Sequence, residues 1–186
     1  EKQFKYLKNE IISKFGIPVE YVPTDLENLS DCRNVINKSD TCFGKVDILV
    51  NAAGLTDRGN LLDTSEELFD RIFAINTKAP FFLMQDTVKI MIREKISGSI
   101  VNIGSTSALT GQPFIAPYSA SKGALATITR NSGYALLRNR IRVNQLNIGW
   151  MASEGEDRIQ KEYHGASEDW LAQASKEQPF GRLLET

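Results

Sequence analysis

The protein has 186 residues, which suits one domain with one sizeable core. Its net charge of -1 argues against a basic nucleic-acid-binding surface, and no apolar run approaches the roughly 18 residues that a membrane-spanning helix needs. Cys32 and Cys42 form no C-x-x-C pair, and His164 is the single histidine, so neither a metal site nor a catalytic histidine triad is indicated.

Apolar residues at helical spacing alternate along the chain with short apolar runs, which predicts helices and strands in turn. Gly16 is placed to end the first helix, and Ser30 or Asp31 to begin the second. The sequence 64–67 (TSEE) is a capping box that begins the third helix. In chain order we predict a helix over 4–15, a strand over 19–22, a helix over 30–43, a strand over 46–50, a helix over 64–95, a strand over 99–103, a helix over 118–138 and a strand over 141–146.

Strands that alternate with helices indicate β-α-β units. We therefore predict an α/β fold of the Rossmann type, a doubly wound parallel sheet with helices on both faces. Such sheets bind ligands at the carboxyl ends of their strands. The polar, aromatic-bearing stretch from about 150 to 178 is predicted to form a lid over the substrate.

Three segments of small or polar residues each follow a predicted strand. Asn51–Gly54 (NAAG) follows VDILV, and its small residues allow a flat ligand to approach the backbone. Gly104–Ser107 (GSTS) follows SIVNI and can present hydroxyls to a substrate oxygen. Asn147–Ser153 (NIGWMAS) follows IRVNQL and can form one wall of a pocket. Each segment alone is also compatible with an ordinary turn or surface loop.

Tyr118 and Lys122 are four residues apart on a predicted helix and therefore share one of its faces. A nearby ammonium stabilises a phenolate, and an opposite charge within about 4–6 Å typically lowers the pKa of an acid by 1–3 units. The pair therefore predicts a tyrosine with a lowered pKa that acts as a general acid or base.

Taken together, the motifs resemble the short-chain dehydrogenase/reductase family over nearly the whole chain. NAAG, Asn76 in FAIN, a serine thirteen positions before the tyrosine, YSASK, and IRVN before N-x-G occur in the family's order. The resemblance implies an NAD- or NADP-dependent oxidoreductase that transfers hydride between the nicotinamide and a carbonyl or secondary alcohol. It also implies one dinucleotide-binding and catalytic domain over residues 1–186.

The resemblance implies a role for each motif residue. Ser105 would orient the substrate oxygen, and Tyr118 would exchange a proton with it. Lys122 would bind the nicotinamide ribose and lower the pKa of Tyr118, while Asn76 would bend its helix and hold a water with its main-chain carbonyl. The further cofactor-binding residues that the resemblance implies are Asp25 at the adenine ring, Asn51, Ala52, Ala53 and Gly54 around the adenosine ribose and central strand, and Gly149, Met151 and Ser153 at the nicotinamide carboxamide.

Two departures from the family pattern concern the cofactor. Ile148 stands where the family usually has proline, and the sequence contains no G-x-G, so the glycine-rich phosphate turn is absent. In the family that turn follows the first strand. We therefore expect the chain to be an excerpt that lacks the first two strands, one helix and the turn. The residue that selects NAD or NADP would follow the second of those strands.

The resemblance also gives expectations for partners. We expect a cytoplasmic homotetramer or homodimer that uses the long helices near 64–95 and 118–138, with no nucleic-acid, membrane or metal partner. The lid mixes Trp150, Tyr163 and Trp170 with many charges. This mixture favours a sugar, polyol or other small hydroxylated substrate, although such charges usually form a solvated helix face.

Three alternatives remain open at the level of the sequence. Ser119–Lys122 satisfies the S-x-x-K pattern of serine acyl-enzymes, but no SDN or KTG follows it. A non-catalytic, cofactor-binding relative of the same fold is the second alternative, because fold alone does not imply function. The third is an epimerase or dehydratase that uses the nicotinamide transiently.

Overall fold

The structure, a computed structural model, describes residues 2–185. Three parallel strands form the main sheet in the order β1–β2–β3, and a small parallel pair, β4 and β5, lies at the lid. The helices are α1 (Lys2–Phe15), α2 (Leu29–Phe43), α3 (Glu66–Phe73), α4 (Ala79–Arg93), α5 (Ala116–Ala135), α6 (Glu154–His164) and α7 (Trp170–Glu177). The strands are β1 (Ile48–Asn51), β2 (Ser99–Ser105), β3 (Arg142–Ile148), β4 (Met151–Ala152) and β5 (Leu184–Glu185).

The ends of the first two helices follow from local sequence. Gly16 and Gly44 adopt positive φ angles of 66° and 72° after α1 and α2, a conformation that glycine enters without steric cost. The prediction that Ser30 or Asp31 begins α2 is wrong. Asn28 is the capping residue, and its side-chain oxygen accepts a hydrogen bond of 2.9 Å from the Ser30 N–H.

The apolar run 19–22 is not a strand in the structure, so that prediction is wrong. A strand needs a neighbour to satisfy its backbone groups, and within residues 2–185 β1 pairs only with β2. The run instead packs against α1, where the rings of Phe4 and Tyr21 stack at 4.2 Å.

The predicted helix over 64–95 occurs as two helices joined through a π-helical turn at Ala74–Lys78. Ser65 caps α3, because its side chain accepts a hydrogen bond from the Leu68 N–H. The five residues of the π-helical turn include Asn76, which is buried. The π-helical turn thus interrupts the α-helix at a predicted catalytic residue.

One face of the main sheet packs against α4 and α5. Register places Leu49, Ile100 and Val143 side by side on this face, where Met84 and Met91 of α4 cover them. Burial of each such side chain stabilises the fold by about 1.5–3 kcal/mol. On the opposite face Val50 and Leu146 remain more than half exposed.

No helix among residues 2–185 is long and apolar enough to cross a membrane.

Candidate active site

A cavity of about 870 Å³ opens beyond the carboxyl ends of β1, β2 and β3. The lid, defined here as residues 150–178, forms part of its wall. The predicted site residues that line the cavity are Ala52, Gly54, Ser105, Tyr118, Lys122, Gly149, Met151 and Ser153.

Tyr118 and Lys122 lie on the same face of α5, one helical turn apart, as predicted. The Lys122 Nζ is 5.8 Å from the centroid of the Tyr118 ring. Lys122 is only 4% exposed, and its Nζ donates a 2.9 Å hydrogen bond to the main-chain carbonyl of Ile103 at the end of β2. The ammonium is therefore tied to the sheet beside the phenol.

The expected lowering of the Tyr118 pKa does not occur in the structure. Burial raises the pKa of Tyr118, the Ser105 side chain opposes the rise, and the negative charge of Glu156 adds to it. Burial likewise lowers the pKa of Lys122. Removal from water disfavours the charged forms of both groups, and the group that opposes the rise at Tyr118 is Ser105 rather than Lys122.

Ser105 is the last residue of β2 and is 8% exposed. Its Oγ accepts a hydrogen bond from the Ser107 N–H and lies 2.7 Å from the Ser107 Oγ. These bonds begin a short 3₁₀ turn and hold the Ser105 hydroxyl at the cavity wall, near Tyr118.

Asn76 is fully buried and clamps the backbone of the loop that follows β1. Its Oδ1 accepts from the Leu55 N–H and its Nδ2 donates to the Leu55 carbonyl, both at 2.8 Å. The Nδ2 also donates to the Ser121 Oγ on α5 at 3.0 Å. Pro80, four residues later, has no N–H to donate to the Asn76 carbonyl, which therefore lacks the ordinary helical partner.

Asn51 does not line the cavity but begins a buried polar chain across the sheet. Its Nδ2 donates to the Asn102 Oδ1 at 2.8 Å, and the Asn102 Nδ2 donates to the Thr129 Oγ1 of α5 at 2.8 Å. All three side chains are buried. Asn102 is absent from the sequence predictions, although an amide within the apolar run SIVNI is the signal that could have identified it.

Two other predicted cofactor residues lie off the cavity wall. Ala53 is exposed, while its neighbours Ala52 and Gly54 line the cavity. Asp25 is exposed before α2, and its Oδ1 accepts a 3.0 Å hydrogen bond from the Glu27 N–H. Their roles at the cofactor stay predictions.

The predicted nicotinamide loop leaves β3 and enters the lid. Ile148 pairs in register with Ser105, and Met151 pairs with Leu184 in the small sheet. Ser153 caps α6, because its Oγ accepts a 3.2 Å hydrogen bond from the Glu156 N–H. The Ser153 hydroxyl thus has a structural partner as well as a place on the cavity wall.

The last residue of α6 contacts Arg58, which lies in the loop after β1. The sequence predictions did not include Arg58. The Arg58 Nε donates to the His164 Nε2 at 3.0 Å, and its guanidinium lies 5.5 Å from the centroid of the Phe114 ring. Both Arg58 and His164 line the cavity. The two residues are 106 positions apart, so no local sequence pattern indicates this contact.

The cavity has the volume and the polar groups that a bound nicotinamide needs. A Cβ added to Gly54 would lie 3.3 Å from the Lys122 Nζ, so the glycine keeps the approach to the ammonium open. An ammonium has three N–H donors, and within residues 2–185 Lys122 uses one, on the Ile103 carbonyl. The remaining donors can bind ribose hydroxyls.

A model of the short chain dehydrogenase family matches residues 1–164. An oxidoreductase of undetermined substrate from Thermotoga maritima is 38% identical over 146 residues, which cover 78% of this chain and 57% of that protein. The chain thus spans little more than half the length of that relative.

Two further relatives have stated substrates or ligands. A galactitol 2-dehydrogenase of Agrobacterium fabrum is 31% identical over 174 residues, which cover 90% of this chain and 67% of that protein. The crystal structure of a gluconate 5-dehydrogenase from Burkholderia cenocepacia, bound to NADP and tartrate, matches with a TM-score of 0.82 and 25% identity over 97% of this chain and 68% of that one. Together with the parallel sheet, the structural match confirms the predicted Rossmann-type fold.

Proposed function

Because the chain belongs to the short-chain dehydrogenase family, we propose that it transfers hydride between NAD or NADP and the carbonyl or secondary alcohol carbon of a small substrate. The bound nicotinamide supplies or accepts the hydride. The protein positions the substrate oxygen and moves its proton. The domain boundaries and the assigned roles of the site residues are part of this proposal.

In the direction of reduction, the Ser105 hydroxyl donates a hydrogen bond to the carbonyl oxygen and Tyr118 donates its proton to it. The carbonyl carbon gains hydride, its oxygen becomes a hydroxyl, and Tyr118 is left as a phenolate. A raised pKa keeps Tyr118 protonated and ready as an acid at neutral pH. In the direction of oxidation the phenolate takes the proton back, so we expect that rate to rise with pH.

Lys122 and Asn76 support this proton transfer. The buried ammonium stabilises the phenolate that forms and offers its remaining N–H donors to the nicotinamide ribose. We propose that the Asn76 carbonyl, which receives no N–H from Pro80, holds a water that returns a proton to Tyr118 through Lys122.

The observation that carries the proposal is the meeting of four side chains from three separate elements of the fold. Ser105 comes from β2, Tyr118 and Lys122 come from α5, and Asn76 comes from the turn between α3 and α4. Their arrangement argues against a non-catalytic relative, since a binding module has little use for a proton donor at the cavity wall. It also argues against a serine acyl-enzyme, because Ser119, the serine of the S-x-x-K pattern, is not among the residues that line the cavity beside Lys122.

Replacement of Tyr118 by phenylalanine in the full-length protein tests the function. We expect turnover to fall by about 10²–10⁴-fold, the usual contribution of a general acid or base, with cofactor affinity retained. Turnover is followed by nicotinamide absorbance and affinity by fluorescence titration. Tyr134→Phe is the control, since Tyr134 lies on the same helix and is 81% exposed. Unchanged turnover in Tyr118→Phe would remove Tyr118 from the mechanism.

We propose a sugar, polyol or other small hydroxylated compound as the substrate. The cavity combines Trp150 with polar side chains of the lid, and the similar galactitol and gluconate dehydrogenases act on polyhydroxylated compounds. Rates on polyols, sugars, simple ketones and acyl thioesters test this. A preference for acyl thioesters would contradict it.

We also propose a homotetramer or homodimer in the cytoplasm. An apolar groove of about 320 Å³ lies between α4 and α5, the helices expected to form the subunit interface, and Phe81 and Leu136 line it. Light scattering after size-exclusion chromatography measures the assembly. A monomer at micromolar concentration would contradict that part of the proposal.

A further inference from the structure

One carboxylate of the lid differs from the other lid charges in its surroundings. Glu154, Arg158 and Glu162 are exposed on α6, as expected for a solvated helix face. Glu156, in the first turn of the same helix, is half-buried and lines the cavity. It is thus the acidic side chain that the lid brings to the proposed reaction centre.

Two hydrogen bonds orient this carboxylate through one of its oxygens. The Trp150 Nε1 and the Gln160 Nε2 both donate to the Glu156 Oε1 at 2.8 Å. Within residues 2–185 no donor reaches the Oε2. A carboxylate oxygen can accept more than one hydrogen bond, so the Oε2 keeps its full capacity as an acceptor.

The carboxylate is also within electrostatic reach of the proposed acid. The negative charge of Glu156 contributes to the raised pKa of Tyr118. The other charged or titratable side chains on the cavity wall are Arg58, Lys122 and His164. Arg58 and His164 bind each other at the end of α6, and Lys122 binds the Ile103 carbonyl, so none of these neutralises Glu156 directly.

On the basis of the proposed function, we infer that Glu156 determines substrate specificity. Its free Oε2 accepts a hydrogen bond from a substrate hydroxyl close to the reacting carbon. The site therefore favours hydroxy ketones and polyols over compounds that lack that hydroxyl. It also disfavours substrates with an anionic group at the same place, because like charges repel.

The size of the preference follows from the charge of the acceptor. Hydrogen bonds to charged groups are roughly twice as strong as those between neutral groups. Glu156→Gln keeps an oxygen that can accept from Trp150 and Gln160, but it removes the charge. We expect the substitution to weaken the recognition of the substrate hydroxyl and to leave the lid folded.

The test compares acetoin with butanone, two ketones that differ by one hydroxyl next to the carbonyl. Reduction is measured in the full-length protein with saturating cofactor, as kcat/KM for each ketone. We expect the acetoin-to-butanone ratio to fall by about tenfold or more in Glu156→Gln. Glu154→Gln is the matched control on the exposed side of α6, and we expect it to keep the wild-type ratio.

A second readout separates recognition from a merely structural role. Because the negative charge of Glu156 raises the pKa of Tyr118, Glu156→Gln should shift the pH profile of alcohol oxidation toward lower pH. Loss of lid structure would also relieve the burial of Tyr118, so the shift is assigned to the charge of Glu156 only when the thermal midpoint of the variant is unchanged.

The outcomes distinguish this inference from the proposed function. A wild-type protein that binds cofactor but reduces neither ketone would contradict the proposed function and, with it, the role of Glu156. Wild-type turnover with an unchanged ratio in Glu156→Gln, or with an equal loss in Glu154→Gln, would overturn the role of Glu156 alone.

Discussion

The two walls of the cavity are held by different kinds of interaction. The wall formed by β1, β2 and α5, called here the catalytic wall, is held by buried hydrogen bonds such as Asn51–Asn102 and Asn76–Leu55. The lid is held by more exposed bonds, such as Trp150–Glu156 and Lys161–Glu168. Buried polar groups are costly to leave unpaired, whereas exposed ones exchange readily with water.

This difference suggests a division of tasks. A proton donor must be held rigidly, and Tyr118 stands on a helix that Thr129 ties to the central strand through Asn102. A substrate must enter and leave, and the exposed polar contacts of the lid are ones that water can replace. Substitutions in the catalytic wall should therefore strongly affect either turnover or stability. Substitutions in the lid should affect substrate recognition or have little effect.

Substitution of Lys122 should give the largest difference in turnover between a variant of the catalytic wall and a variant of the lid. We expect Lys122→Met to reduce turnover by about 10²–10⁴-fold, because the phenolate of Tyr118 loses its ammonium. The thermal midpoint should not fall, since the substitution removes a charge that burial already disfavours. Steady-state rates and differential scanning calorimetry measure both effects. Lys176→Met, an exposed lysine of α7 in the lid, should change neither. If both variants lost turnover equally, the division between the walls would be wrong.

Asn102 tests the rigidity of the catalytic wall without touching the cavity. Asn102→Ala leaves the Asn51 amide and the Thr129 hydroxyl without their buried partner. We expect the free energy of unfolding to fall by about 2–4 kcal/mol, as read from denaturant titration. Asn144→Ala, on the neighbouring strand and exposed, is the control and should cost little. Equal losses of stability in the two variants would show that the buried polar chain does not stabilise the fold more than an exposed asparagine does.

Trp150 should give a smaller effect that is confined to the substrate. Trp150→Phe keeps an aromatic ring but removes the Nε1 donor to Glu156. We expect KM for acetoin to rise about two- to tenfold, because the carboxylate is less firmly oriented. Cofactor affinity and the thermal midpoint should change little. A large loss of kcat at unchanged KM would instead place Trp150 in the proton transfer.

Glu168 should give the smallest effect. It is 90% exposed and pairs with Lys161 at 2.8 Å. Exposed pairs contribute little because water and salt screen them. We expect Glu168→Gln to leave the thermal midpoint and kcat/KM unchanged in calorimetry and rate assays. A marked loss of either would mean that the lid depends on its exposed ion pairs.

Much of the fold and of the candidate site could be predicted from local sequence, because local rules act over a few residues. Gly16 ends a helix through its own backbone freedom, and Ser65 caps another through a hydroxyl three residues from its donor. Tyr118 and Lys122 share a face because four residues make about one helical turn. These features need no knowledge of distant parts of the chain.

Tertiary structure decided the features that depend on surroundings. The run 19–22 has the composition of a strand. Without a neighbouring strand among the described residues, its backbone groups cannot form the hydrogen bonds of a sheet. The pKa of Tyr118 is raised chiefly by burial, and burial cannot be read from a four-residue spacing.

The sequence by itself determined the alternation of helices and strands, the family and the set of candidate catalytic residues. Only the folded chain joined Asn51 to Asn102, Arg58 to His164, and Glu156 to the cavity of Tyr118. The physical reason is the distance along the chain over which each interaction acts. Backbone preferences and helical spacing act between neighbours, whereas hydrogen bonds across the sheet and charges across a cavity depend on where packing brings distant residues.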